Sequence, residues 1–237
     1  MSSNQISLSA SSITRVLGTV AGVLVLISTV GQLTAYLTGH NHIHGLVPLF
    51  YVDAELNIPT FFSTLLLLIA SLLLTVITLL ERNLAAARVW QWALLAAGFL
   101  LMTADEAFSI HEALMVPTRD LLGEGVFRAF YFPWIVPAGV MILVLAPLFF
   151  KFLWHLPRRT RVIFLTAAVL FVGGSLGFEL IGGRYARLHG LNNLTYSMIA
   201  GCEECLEMAG VIVFIRGLLL YLAEYYGEVR FRFDTAP

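Results

Sequence analysis

Carboxylates recur in this sequence where the surrounding chain is almost wholly apolar. One group is Asp105-Glu106-Ala107-Phe108-Ser109-Ile110-His111-Glu112, another is the acid of Phe178-Glu179-Leu180, and a third is Cys202-Glu203-Glu204-Cys205-Leu206-Glu207. An ionised carboxylate at the centre of a bilayer costs about 2.5–3.5 kcal/mol on insertion scales, so such residues are rare. These seven acids, left bare, would cost on the order of 20 kcal/mol, more than the roughly 5–15 kcal/mol by which a typical protein is stable. Cations, shared protons or arginines must offset them.

A divalent metal is the sharpest of these possibilities, because carboxylates on facing helices with histidine nearby are how helical bundles hold one or two ions. The expected ligands are Asp105, Glu106, Glu112, Glu179, Glu203 and Glu207, with His111, Glu204 and Ser109 as orienting partners or additional ligands. The Glu-x-x-His repeat of soluble di-iron bundles is absent, so nitrogen must come from His111 or from His40, His42 and His44. That histidine loop also carries Asp53 and Glu55, and Glu55 joins the weaker candidates. An oxygen-rich donor set favours iron or manganese over zinc or copper. Such a metal would activate water or oxygen against a lipid or small apolar substrate.

Other chemistries fit less well. Cys202 and Cys205 have Cys-x-x-Cys spacing, but a thioredoxin-type pair needs a βαβ setting, so they read first as small buried residues and only weakly as ligands. Ser109 has no histidine on its face, and no Gly-x-Ser-x-Gly turn occurs. Glycosidase-like acid and base chemistry needs an open sugar cleft, for which the chain has no sizeable soluble domain. Two alternatives use the same acids without catalysis. One is a proton- or cation-coupled transporter, which would also need acids in the inner half of the helices. The other is an ion-pair network with Arg119, Arg128, Arg184 and Arg187.

The acids need helices to bring them together. At about 100° per residue, a continuous helix puts Asp105, Ser109 and Glu112 within roughly 60° of one another, with Glu106 on the flank. His111 then turns away, about 100° from Glu112. Glu203 and Glu207 are an i,i+4 pair, with Glu204 on the same arc.

Composition supplies those helices. Of 237 residues, 59% are hydrophobic and only 12% charged, against about 45–50% and about 25% in soluble domains. The net charge of −1 leaves no basic excess for nucleic acid. Six runs suit a hydrocarbon core of about 30 Å, at 16–37, 59–80, 89–115, 131–150, 162–182 and 195–220. The expected fold is all-α: a polytopic membrane protein, a six-transmembrane-helix bundle forming one integral membrane domain over 1–237. Nine Arg and Lys on one side of these spans against four on the other put both termini in the cytoplasm. Arg216, inside the sixth span, snorkels to the inner surface. With this topology all the acids fall in the outer third of the membrane, and short loops with a single lysine suit a bacterial inner (plasma) membrane. Membrane lipids are then its immediate neighbours. Gly18 with Gly22 and Gly173 with Gly177 are small-xxx-small pairs that predict close helix contacts, and Gly182-Gly183 predicts a helix end.

Overall fold

The computed structural model describes residues 9–39, 45–85, 87–123 and 130–229. His40, His42, His44 and Arg128 lie outside these described residues. The chain is helical, with no strand among the described residues. In chain order the helices are α1 (Ala10–Thr38), α2 (Leu46–Phe50), α3 (Ile58–Asn83), α4 (Val89–Phe108), α5 (Ile110–Ala113) and α6 (Met115–Leu122). They are followed by α7 (Ile135–His155), α8 (Arg158–Val172), a π-helical turn (Gly173–Phe178), α9 (Glu179–His189) and α10 (Leu194–Tyr225).

Five helical rods are long and apolar enough to cross a membrane: α1, α3, α7, the run Arg158–His189, and α10. A sixth candidate, α4 followed by α5 and α6, is bent by 75°. The predicted third span is therefore not one straight helix to residue 115. It stops at Phe108, where Ser109 adopts the left-handed conformation at φ 49° and ψ 45°.

Half of the most apolar stretch of α10 is buried, against 11–33% for the other rods, so α10 is the axis of the bundle. It packs against α8, α1, the π turn and α3, while α3 pairs with α4. Ser71 on α3 donates a buried hydrogen bond of 2.9 Å to Ala96 O on α4, the kind of polar tie that joins helices where no water competes. At the end of α10 remote from the acids, Trp92 lies edge-on to Phe152 and Phe164 and packs on Tyr221.

Caps set the helix limits. The Asn57 and Asn193 side chains accept from the backbone N–H groups of Thr60 and Tyr196 and so start α3 and α10. Gly182-Gly183 does not end a helix: α9 continues to His189 with Gly190 as its cap. Both glycines are buried, Gly182 beside Tyr196 and Ile199, Gly183 beside Tyr131 and Phe132, and they serve close packing. The small-residue pairs also fail as contacts, since a Cβ on Gly18, Gly22, Gly173 or Gly177 would meet nothing within 4 Å. Close approach occurs at Gly174, Gly210 and Gly217. The π turn changes the face that this segment presents, which brings Gly174 onto α10.

Candidate metal centre

The break at Ser109 builds the first half of the site. After the left-handed residue the chain folds back, and Asp105 on the last turn of α4 accepts from the His111 backbone N–H at 2.6 Å. Its other oxygen lies 3.2 Å from His111 Nδ1. With a proton on Nδ1 donated to Asp105, the Nε2 lone pair is left facing outward, the arrangement that carboxylate partners impose on metal-binding histidines. Nε2 is 3.9 Å from Glu55 Oε1. Glu55, His111 and Glu112 each offer one ligand atom, and these atoms lie within 4.8 Å of one another. The expectation that His111 points away from the acids is therefore corrected. It assumed a continuous helix, and the reversal at Ser109 rotates the imidazole into the cluster.

Glu55 is carried by the 51–57 segment, which is pinned at several points. Val52 N donates to Ser28 Oγ on α1 at 3.1 Å, and the Asn57 amide donates to Pro48 O at 3.1 Å and Tyr51 O at 2.6 Å. The Tyr51 hydroxyl donates to Asp53 Oδ2 at 2.9 Å and lies 3.3 Å from Ser197 Oγ on α10. Burial raises the Glu55 carboxyl above its ordinary range, with Glu112 and Asp105 adding to the rise and His111 and Ser109 opposing it. Asp53 opens to the surface on one edge. Protein packed around the rest of it desolvates the carboxyl, and with Glu179, Glu55 and Glu112 nearby the group is pushed up to about 6. Glu55 Oε2 is buried and has no hydrogen-bond partner among the described residues.

The second half of the site comes from α8, α9 and α10. A π turn adds a residue to the helical repeat, and at about 100° per residue this decides which way Glu179 points. Glu179 is hydrogen-bonded to Glu203 on α10 and accepts from Trp134 Nε1 at 3.0 Å. The Trp134 ring lies 5.2 Å from the His111 ring, so one tryptophan joins the two halves. Gly174 permits this arrangement, because a Cβ there would be 2.9 Å from Glu203 O and 3.0 Å from Glu207 Cγ. Glu207 lies within electrostatic range of Glu106, Glu179, His111 and Asp105, and Glu204 within range of Glu207, Glu106, Asp53 and Glu55.

Asp105, Glu106, Glu112, Glu179, Glu203, Glu204 and Glu207 thus share one electrostatic neighbourhood with His111 and Glu55. Ser109 forms the break, and its hydroxyl faces Glu55. Cys202 and Cys205 are exposed on α10, contrary to the expectation of buried residues. Among the described residues the close acid–base contacts of the cluster are both made by His111, with Asp105 and with Glu55, and they are ion pairs only when the imidazole carries a second proton. Arg184 and Arg187 line a cavity of about 210 Å³ with Tyr131, Ile135 and Glu179. Trp134 and Tyr51 escaped the sequence reading. Each lies in an apolar or loop segment whose local pattern carries no sign of a distant carboxylate.

The site brings together several carboxylate oxygens, one oriented imidazole, and a buried carboxylate oxygen lacking a partner among the described residues, groups of the kind that hard cations take as ligands. No curated protein and no solved structure matches the chain. A family model matches residues 17–222, nearly the whole helical bundle, and the chain belongs to that family, described as Domain of unknown function (DUF8692).

Proposed function

We propose that this protein is an integral membrane metalloprotein, an enzyme whose carboxylate-rich centre takes one or two divalent ions, iron or manganese, and acts on a lipid or small apolar substrate. The observation that carries this is the geometry of His111. Its Nδ1 is engaged by Asp105, its Nε2 lies 3.9 Å from Glu55 Oε1, and a ring nitrogen joins one oxygen each of Glu55 and Glu112 in a group of donor atoms within 4.8 Å of one another. Glu55 Oε2, buried without a partner among the described residues, fits the same cation. Glu106, Glu179, Glu203 and Glu207 supply oxygen donors for a second ion or hold protons beside the first. When bound, a divalent ion supplies Lewis acidity and lowers the pKa of water. The protein's part is to orient donors and to exclude bulk water. Trp134 fixes Glu179 and packs on His111, while the cavity beside Glu179, about 210 Å³, admits one small group of a substrate arriving from the membrane.

The topology we propose has six spans in one domain, α4 to α6 being the bent one, with both termini in the cytoplasm of a bacterial inner membrane. The acids then lie near the outer face. Transport through the same acids has less support. On the path from Glu207 toward the opposite face, Leu74, Ile77, Ile215 and Leu218 are completely buried apolar residues. The acid beyond them, Glu81, accepts from Tyr221 at 2.7 Å and Tyr226 at 2.8 Å.

Elemental analysis of protein purified without chelator tests the proposal. One or two equivalents of iron or manganese are expected, falling below half in His111→Gln and Glu55→Gln and unchanged in Cys202→Ser/Cys205→Ser. Absence of a transition metal from folded wild-type protein, or full retention in both site variants, overturns it.

A further inference from the structure

At the opposite end of the bundle from the acids, α8 and α10 flank a groove of about 630 Å³ lined by Arg158, Arg159, Val162, Ile163, Arg216 and Leu220. Three of the six lining residues are arginines and none is acidic. All three are exposed, and none makes an ion pair or hydrogen bond among the described residues. Arg161, on the same turn of α8, behaves differently. It donates to Trp154 O at 3.3 Å, and its guanidinium sits 4.9 Å over the Trp154 ring. The cations in the groove are therefore a selected set, not the whole basic turn.

The groove has a fixed floor. A Cβ on Gly217 would lie 2.8 Å from Phe164 Cε1 and 2.9 Å from Ile163 Cγ2, so α8 and α10 touch directly beside Arg216. Arg216 lies nine residues before the end of α10, roughly 13 Å inside it at 1.5 Å per residue. A guanidinium at that depth on an apolar rod needs an anion or a route to water. Arg158 and Arg159, in the first turn of α8, continue the positive surface toward the membrane boundary. Val162, Ile163 and Leu220 supply an apolar wall next to it.

We propose that this groove is a binding site for an anionic phospholipid, with the phosphate-bearing headgroup held by Arg158, Arg159 and Arg216 and the start of an acyl chain lying along Val162, Ile163 and Leu220. Charge complementarity selects the ligand: planar guanidiniums bind phosphate oxygens in pairs, and basic pockets between helices at the inner face take acidic headgroups. The site is separate from the carboxylate centre, so it does not depend on metal binding.

The test is native mass spectrometry of the full chain released from nanodiscs containing equal amounts of phosphatidylglycerol and phosphatidylcholine. Retention of phosphatidylglycerol is expected, weakened roughly fivefold for each arginine changed to glutamine. Arg216→Gln and the Arg158→Gln/Arg159→Gln double variant both report the loss, so a folding defect in one leaves the other decisive. Arg82→Gln, a basic change outside the groove, is expected to leave retention unchanged. Equal retention of the two lipids overturns the proposal, as does an equal loss in Arg82→Gln, which would mean diffuse surface charge. Displacement of the lipid by millimolar inorganic phosphate also overturns it, in favour of a free-anion site.

Discussion

Replacing Gly174 by alanine puts a methyl group where the two helices that carry Glu179 and Glu203 are closest. The new Cβ would lie 2.9 Å from Glu203 O, 3.0 Å from Glu207 Cγ and 3.2 Å from Glu207 N. Two of these neighbours are backbone atoms of α10, the most buried rod, and cannot swing aside. Ordinary contact begins near 3.4 Å, so the π turn and α10 must part by about half an ångström. Overpacking of this kind costs about 1–3 kcal/mol. For a chain of this size that is roughly 2–12 °C in melting temperature. The same displacement moves Glu203 and Glu207 relative to Glu179, so bound metal should fall as well. Gly173→Ala and Gly177→Ala are the controls, because a Cβ at either position meets nothing within 4 Å. Each should be neutral, or stabilising by up to about 1 kcal/mol. Thermal unfolding in detergent, paired with elemental analysis of each variant, reads both effects. A Gly174→Ala protein as stable and as metal-rich as Gly173→Ala would refute the reasoning.

Three further outcomes follow from the same geometry. Ser109→Val places a β-branched residue at φ 49° and should cost about 1–2 kcal/mol, with a drop in metal affinity as His111 loses its position; Ser109→Gly should keep the fold, and equal stability of the two variants would contradict this. Asn57→Ala removes the cap of α3 and the two anchors of the 51–57 segment. Its cost should be about 1–2 kcal/mol, seen as a lower melting temperature, and proteolysis of that segment should become faster. The folded state binds a proton on Asp53 more tightly than the unfolded chain, with a pKa of about 6 against 3.8. The stability of metal-free protein should therefore fall as pH rises between those values. Asp53→Asn should flatten this dependence in a pH series of thermal unfolding curves, and an unchanged slope would count against it.

The apolar rods and the acids were legible in the sequence because both are signals of composition and period. Uncharged runs of about 20 residues need no tertiary information, and Glu203 with Glu207 share a face of any α-helix. What could not be read was where the helical period fails. Ser109 in the left-handed region ends a helix in the middle of an acidic motif, and neither a glycine nor a proline marks the place. That one residue turned His111 from an outsider into the best-placed nitrogen donor. The π turn at Gly173–Phe178 likewise put Gly174 on the contact, where regular spacing pointed to Gly173 and Gly177. Trp134 and Tyr51 meet the acids only through packing between segments distant in the chain, for which a single sequence offers no pattern.

The most direct measurement is electron spin-echo spectroscopy of the full-length protein loaded with Mn(II), which detects a nitrogen nucleus bound to the ion. Coupling from one imidazole nitrogen is expected in the wild type, lost in His111→Gln and weakened in Asp105→Asn. Stoichiometric Mn(II) with no nitrogen coupling, or a coupling that survives in His111→Gln, would contradict a centre built on His111.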